Sequence, residues 1–528
     1  MTTASTSNLT ITSLMEKGYF PSELISEFTT KPFAGNIDSI NFSQCNKKVS
    51  KTIDYSIPRV THARRKLDIP NPLHQYKLAQ NIVNHWSNIN SFISQSTLSL
   101  TKPIIKDGGK RALERENSLK DRVKYKIHNS IGKGYVLKTD ISRYYSTIYT
   151  HSIPWALHGK SVAKANHGHG LYGNILDTAV RNTQDRQSIG IPIGPDTSLV
   201  LAEIIGTAID LELQNAIPNI KGTRYIDDFE LYFNTESEAK EAFSQMDKIV
   251  KSFQLDWNPN KYHLISIPDK LEPIWVSEMK CYKVRDSNAL QQYYDLISYF
   301  NKAFICSKDH PNEAVLKYCV KRLAEKKIHA ENWDIFESFL LNVASIDSST
   351  LPLVKVLFHT YEWHYQYEIN KDKIEDFLHQ FISGNIKTDN NYEVAWALSL
   401  AKSMNLELND ILVTELFNFN DPICSVILLD MLHLGTFTST PDLTRIESLL
   451  NAEELYGHNW LLAYEGGLIH SGLPEYIEND SFFSQLSNQS ISFYDPTIND
   501  IKREMYENQK EESFKEMIQA AYENDNGY

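Results

Sequence analysis

The chain has 528 residues, 41% of them hydrophobic and 23% charged, which excludes a disordered or fibrous chain and leaves room for two or three globular domains. No apolar run of about 18 residues occurs, and MTTASTSNLTITSLMEKG lacks the basic and apolar regions of a secretory leader, so neither membrane insertion nor export is expected. The formal net charge of −13 argues against a nucleic-acid partner only if it is evenly spread.

It is not. From Lys51 to Lys126 there are about fifteen Lys and Arg against about six acids, whereas the last ninety residues hold about seventeen acids and five bases. That asymmetry suits a basic channel in front of an acidic rear body. Five cysteines, Cys45, Cys281, Cys306, Cys319 and Cys424, form no C-x-x-C pair. They are expected to be reduced thiols of a cytoplasmic protein, without zinc.

In chain order, residues 1–130 are mixed and loop-rich, with Asp107-Gly108-Gly109-Lys110 as a turn at a hairpin tip. Residues 131–285 alternate β-like and helical runs, an α+β pattern. GYVLKTDISRYY begins with a strand from Tyr135 to Ile141. DTSLVLAEIIGTAIDLELQNAI is a long apolar helix with Asp196, Thr197 and Ser198 as capping residues, TRYIDDFELYF is a strand pair, and SEAKEAFSQMDKIVKSFQ an amphipathic helix behind it. Residues 286–528 read as successive amphipathic helices, an all-α array of HEAT-like repeats ending in a polar helix and an acidic tail.

The pair Asp227-Asp228 falls where that hairpin turns. Asp is a common turn residue, and alone the pair would mean little. But Lys138-Thr139-Asp140-Ile141 ends another β-prone run in an acid, and if the strands are neighbours, three carboxylates meet at one sheet edge. Such acids repel one another unless cations lie between them, and hard oxygen ligands select Mg²⁺ or Mn²⁺.

Read together, YVLKTDISRYYSTIY, GIPIGPDTSLVLAEI, TRYIDDF and LDWNPNKYHLIS resemble, in order, the palm motifs of reverse transcriptases, and ARRKLDIPNPLHQYK resembles their basic fingers segment. The resemblance spans about residues 55–285 and implies a fingers-palm domain, an antiparallel sheet with helices. It implies that Asp140 and Asp227 are the main metal ligands, with Asp228 assisting and Ile141 lending its carbonyl. Tyr145 would be the gate under the sugar that favours dNTP substrates. Gly190, Pro192 and Gly194 would admit nucleotide and template to the backbone. Lys261 would sit at the leaving pyrophosphate, and Arg64, Arg65 and Lys66 at the triphosphate. Lys120 and Arg122 would lie toward the template.

Two departures stand out. Ile193 and Pro195 occupy positions where the common pattern has glutamine and serine, and a helical array replaces the thumb. This combination resembles the defence-associated reverse transcriptases of bacteria, of the abortive-infection type. That resemblance implies an anti-phage RNA-directed DNA polymerase, protein-primed or template-independent in part of the group, and a homo-oligomer. Its partners would be an RNA template or a DNA product attached through a tyrosine, for which Tyr528 and Tyr55 are reachable positions. The competing readings are an RNA-directed RNA polymerase, which Tyr145 opposes, and a silent RNA- or protein-binding scaffold on a relict palm, which the intact acids oppose. Tyr361-Glu362-Trp363-His364-Tyr365-Gln366-Tyr367 reads as core before it reads as a base-stacking surface. His167-Gly168-His169-Gly170 reads as a connector before a metal site.

Overall fold

The computed structural model describes residues 8–45, 49–59, 63–324 and 326–508. Its centre is a four-stranded antiparallel sheet in the order β6-β7-β5-β8. The strands are β5 (Tyr135–Asp140), β6 (Lys221–Tyr225), β7 (Asp228–Phe233) and β8 (His263–Ser266). Inward positions of β5 and β7 carry Val136, Leu137, Phe229 and Leu231, all buried. Behind the sheet lie the helices Asp196–Ala216 and Glu236–Ser252. The second starts on a capping box, in which the Thr235 hydroxyl and the Glu238 carboxylate exchange hydrogen bonds with each other's backbone amides.

The Asp196–Ala216 helix has Pro195 as its N-cap, and no side chain caps it. Asp196 does not serve as a cap, because its carboxylate accepts Arg111 Nε at 2.9 Å, Arg111 Nη2 at 2.6 Å and the Leu113 amide at 3.0 Å. It ties the helix start to a small hairpin, β3 (Pro103–Ile104) with β4 (Glu114–Arg115), whose tip carries the expected glycine turn.

A third sheet, β1 (Ile53–Pro58) with β2 (Arg64–Ile69), lies ahead of the palm. From Ile274 on, the chain is helical among the described residues, apart from isolated bridges. Lys371–Ile386 packs on Asn391–Met404, and that helix packs on Pro422–His433. Tyr361 and Trp363 are buried, so the aromatic run is core. The N-terminal segment joins this body instead of standing apart. The Thr29 amide donates to the Phe493 carbonyl at 2.9 Å, the Asp495 amide to that of Glu27 at 2.7 Å, and Phe33 packs against Phe482 and Phe493. No described helix is long and apolar enough to cross a membrane.

Buried Glu465 accepts the Phe493 amide at 2.5 Å and the Ser492 hydroxyl at 2.7 Å. Burial outweighs those bonds and lifts its carboxyl from 4.5 to about 7. A raised carboxyl contributes stability that is fully present below 4.5 and lost as pH rises through 7. Glu465→Gln keeps both hydrogen bonds without the charge. The variant is therefore expected to exceed the parent by up to about 3 kcal/mol at pH 8, and by nothing at pH 4.5, in urea unfolding at the two pH values.

Candidate active site

Cross-strand register pairs Asp140 with Asp228 at the end of β5 and β7. The two-residue turn between β6 and β7 is Ile226-Asp227, and Ile226 sits at φ 58°, a left-handed conformation that a β-branched residue adopts only under constraint. The constraint is visible. The Ile226 amide donates to Thr101 Oγ1 at 3.1 Å, and its carbonyl accepts Arg224 Nη1 at 2.9 Å. From this turn the Asp227 carbonyl accepts the Ile141 amide at 3.2 Å, fastening the two acid-bearing segments to each other.

Arg224 is fully buried between two acids of the long helix. It bonds Asp210 through Nε at 2.9 Å and Nη2 at 2.8 Å, and Glu203 through Nη2 at 2.8 Å. Sequence reasoning missed this trio. Its signal was an arginine in a strand whose neighbours are apolar, facing a helix with two acids seven residues apart, Glu203 and Asp210. It also missed Glu230, buried opposite Lys138 in register, with Lys126 at 3.4 Å, Lys138 at 3.7 Å and Arg122 at 3.8 Å.

The three acids feel one another. Burial, then the charges of Asp228 and Asp140, raise Asp227 from 3.8 to about 7. Asp228 is raised as well, by burial first, against the opposing charge of Arg122 at 3.7 Å. Asp140 is buried. Its Oδ2 accepts Lys261 Nζ at 2.6 Å, while its Oδ1 is buried with no hydrogen-bond partner. Lys261 stands on a turn, Pro259–Lys261, capped by Asn258. Burial would lower its ammonium, but the Asp140 hydrogen bond and the three carboxylate charges hold it above its ordinary value.

The remaining expected site residues divide. Tyr145 is half-buried, its hydroxyl is raised to about 12 by burial, and its ring feels Asp227 and Arg65. Arg65 is exposed and within electrostatic reach of Asp227 and Tyr145. Arg64 turns away to Glu393 at 2.7 Å, and Lys66 is taken by Asp54 at 2.7 Å and Asp68 at 3.4 Å, so neither faces the acids. Adjacent strand residues point to opposite faces, which is why Arg64 and Arg65 cannot act together.

The glycine motif serves the chain's own packing. A Cβ on Gly190 (φ 84°) would lie 3.2 Å from the Ser146 carbonyl oxygen, and one on Gly194 (φ 132°) 2.8 Å from Pro21 Cγ. Pro192 is buried and Ile193 half-buried, and Ile193 exchanges backbone hydrogen bonds with Asp68 of β2 at 2.8 and 3.0 Å. Lys261 lies on Asp140 instead of on an open pyrophosphate side. Arg122 sits over the Tyr225 ring at 5.1 Å, leaving Lys120 exposed. Tyr55 is fully buried with its hydroxyl driven up by burial, which removes it as a primer; Tyr528 lies outside the described residues. His167 and His169 are exposed.

Among the described residues no three His, Cys, Asp or Glu side chains are set to hold an ion as they stand. The donor chemistry nevertheless fits a hard divalent cation: all ligands are carboxylate oxygens, one of them is a buried orphan, and an ammonium already lies where positive charge is needed.

An antiparallel sheet that gathers three acids at a strand end and a hairpin turn, backed by two helices, is a polymerase palm. Residues 65–291 match the family model described as reverse transcriptase (RNA-dependent DNA polymerase), so the chain contains a reverse-transcriptase domain followed by a helical region. No curated protein matches the chain. Solved structures similar to it include apo telomerase from Candida tropicalis, at TM-score 0.35 and 10% identity over 74% of this chain and 73% of that one. Another is telomerase from Candida albicans in complex with a TWJ fragment of telomeric RNA, at TM-score 0.30 and 14% identity over 72% and 66%.

Proposed function

We propose that the chain is a metal-dependent DNA polymerase of reverse-transcriptase type that acts in anti-phage defence. The observation that carries the polymerase reading is the orphaned, buried Asp140 Oδ1 beside two acids whose carboxyls are both raised. Asp140, Asp227 and Asp228 would hold Mg²⁺ or Mn²⁺, with the Ile141 carbonyl beside them. Such ions activate an attacking hydroxyl and stabilise a leaving pyrophosphate. Arg65 supplies positive charge for a triphosphate, and Lys261, released from Asp140, supplies an ammonium at the same place. The Arg224 cluster holds the strained hairpin so that Asp227 stays on the Asp140 side.

The defence role is supported by the altered central motif and by the helical array in place of a thumb. Protein-primed or template-independent synthesis, a homo-oligomer and a cytoplasmic location belong to the same reading. The test is incorporation of labelled dNTPs by purified protein with Mg²⁺ or Mn²⁺, followed by nuclease and protease treatment of any DNA that copurifies. Phage plating on cells carrying active or Asp227→Asn protein tests defence; equal plaque numbers on both would remove it.

Tyr145 gives a second test. Its ring occupies the side of the acid cluster where a 2′-hydroxyl would have to enter. Tyr145→Val leaves the Tyr145 carbonyl free to accept the Ile191 amide, at 3.0 Å in the parent. Ribonucleotide incorporation relative to deoxynucleotide is expected to rise by about tenfold or more, read from kcat/KM for the two substrates.

A further inference from the structure

We propose that the helical region is a working part of the nucleotide site: Glu393 and Asn391 are positioning residues that grip the β1–β2 hairpin and thereby aim Arg65 at the acid cluster. This rests on the polymerase reading and extends it to residues outside the matched segment.

The argument starts from strand alternation. Arg64 and Arg65 are adjacent on β2, so whatever fixes one on a face of the hairpin sends the other to the opposite face. Arg64 is fixed. Its Nη1 donates to Glu393 Oε1 at 2.9 Å, its Nη2 to Glu393 Oε2 at 2.7 Å, and its Nε to the Ser56 hydroxyl at 2.7 Å, while Nη2 also reaches the Ser56 carbonyl. This two-pronged pairing sets orientation as well as contact. Glu393 is itself only 2% exposed and accepts the Ser348 hydroxyl at 2.8 Å. Arg65 is consequently left on the side of Tyr145 and Asp227.

Two residues before Glu393, Asn391 grips the backbone. Its Oδ1 accepts the Ser56 amide at 2.9 Å, and its Nδ2 donates to the Asp54 carbonyl at 2.9 Å. One side-chain amide thus takes the place of a peptide group of a third strand, on the edge of β1 that β2 does not use. Asn391 is held in turn by Asp421 at 2.7 Å. The opposite end of the hairpin is braced by Trp460 Nε1, which donates to the Ile69 carbonyl at 3.1 Å, and by His458 Nδ1, 2.7 Å from the Thr52 carbonyl. Both ends of the strand pair that carries Arg65 are therefore set by the helical region.

The experiment uses the full chain, Mg²⁺ and a single dNTP titration, with thermal unfolding of every variant. Glu393→Gln is expected to raise KM for dNTP by about tenfold with kcat nearly unchanged. Arg65→Gln should raise KM as well, and the double variant should be no worse than Arg65→Gln alone, because Glu393 acts through Arg65. If Glu393→Gln does not fold, Ser348→Ala takes its place, with a smaller KM rise in the same direction. An unchanged KM in an active, folded variant, or a double variant whose two losses multiply, overturns the proposal. A parent that incorporates no nucleotide overturns the polymerase reading itself, and this proposal with it.

Discussion

Asp227→Asn is expected to abolish deoxynucleotide incorporation, by at least about a thousandfold, in a protein that remains folded. Asp227 is the most strained of the three acids, lifted to about 7 by burial and by Asp228 and Asp140. Its folded-state carboxyl lies above its ordinary 3.8, so its ionisation opposes folding increasingly as pH rises to about 7, and the full opposition is present above that. Asparagine removes the charge and the opposition together, so at pH 8 without metal the variant should melt no lower than the parent. Mg²⁺ should raise the parent's melting temperature at pH 8, because an ion that binds only the folded state stabilises it, and should leave the variant's nearly unmoved. Incorporation at the parental rate by the variant would end the polymerase reading. A melting temperature indifferent to Mg²⁺ in the parent would end the metal assignment.

Loss of Arg224 should have the largest effect on stability. Arg224→Ala strips the partner from Glu203 and Asp210, which are 2% and 0% exposed, and leaves two carboxylates buried without a cation. Breaking a buried pair from one side costs about 3–5 kcal/mol, and here two acids are orphaned together. The Ile226 carbonyl also loses its donor, so the left-handed turn that presents Asp227 loses one of its two restraints. Arg224→Met with Glu203→Gln and Asp210→Asn removes the charges as a set. That triple variant should recover most of the stability in urea unfolding, yet incorporate dNTPs more slowly than the parent because the turn is still untied. Full activity in a stable triple variant would show that the cluster serves folding alone. Gly206→Ala should act in the same direction as Arg224→Ala, since a Cβ there would lie 2.5 Å from Arg224 Nη1.

Much of the palm was legible from local pattern. The β-prone run ending in Asp140, the turn at Asp227 and the helix after Thr235 follow from alternation, turn chemistry and capping, which are written in neighbouring residues. The long apolar helix was legible too, but not its start, because Asp196 looks like a cap until Arg111, 85 residues upstream, claims its carboxylate. The acid cluster required one assumption about strand pairing. Given that Asp140 lies opposite Asp228, the pairing of Lys138 with Glu230 follows without further information.

The basic fingers segment was read less well, for a different reason. Composition marks Arg64, Arg65 and Lys66 as equivalent cations, and nothing local separates them. What separates them is Glu393 on one side of the strand and Asp54 and Asp68 beside Lys66, so two of the three charges are already neutralised inside the molecule. The same holds for the glycines at 190 and 194: their sequence spacing suggests an approach by substrate, and the atoms that approach are those of Ser146 and Pro21.

By itself the sequence determined which segments are strands and helices, and that three carboxylates needing a cation would converge if two strands paired. Only the tertiary structure decided which charges remain available, since a buried ion pair is chosen by partners hundreds of residues away and its energy depends on the water it excludes. That is why Arg65 is the fingers cation that reaches the site, and why the helical region is built into the palm's front instead of trailing behind it.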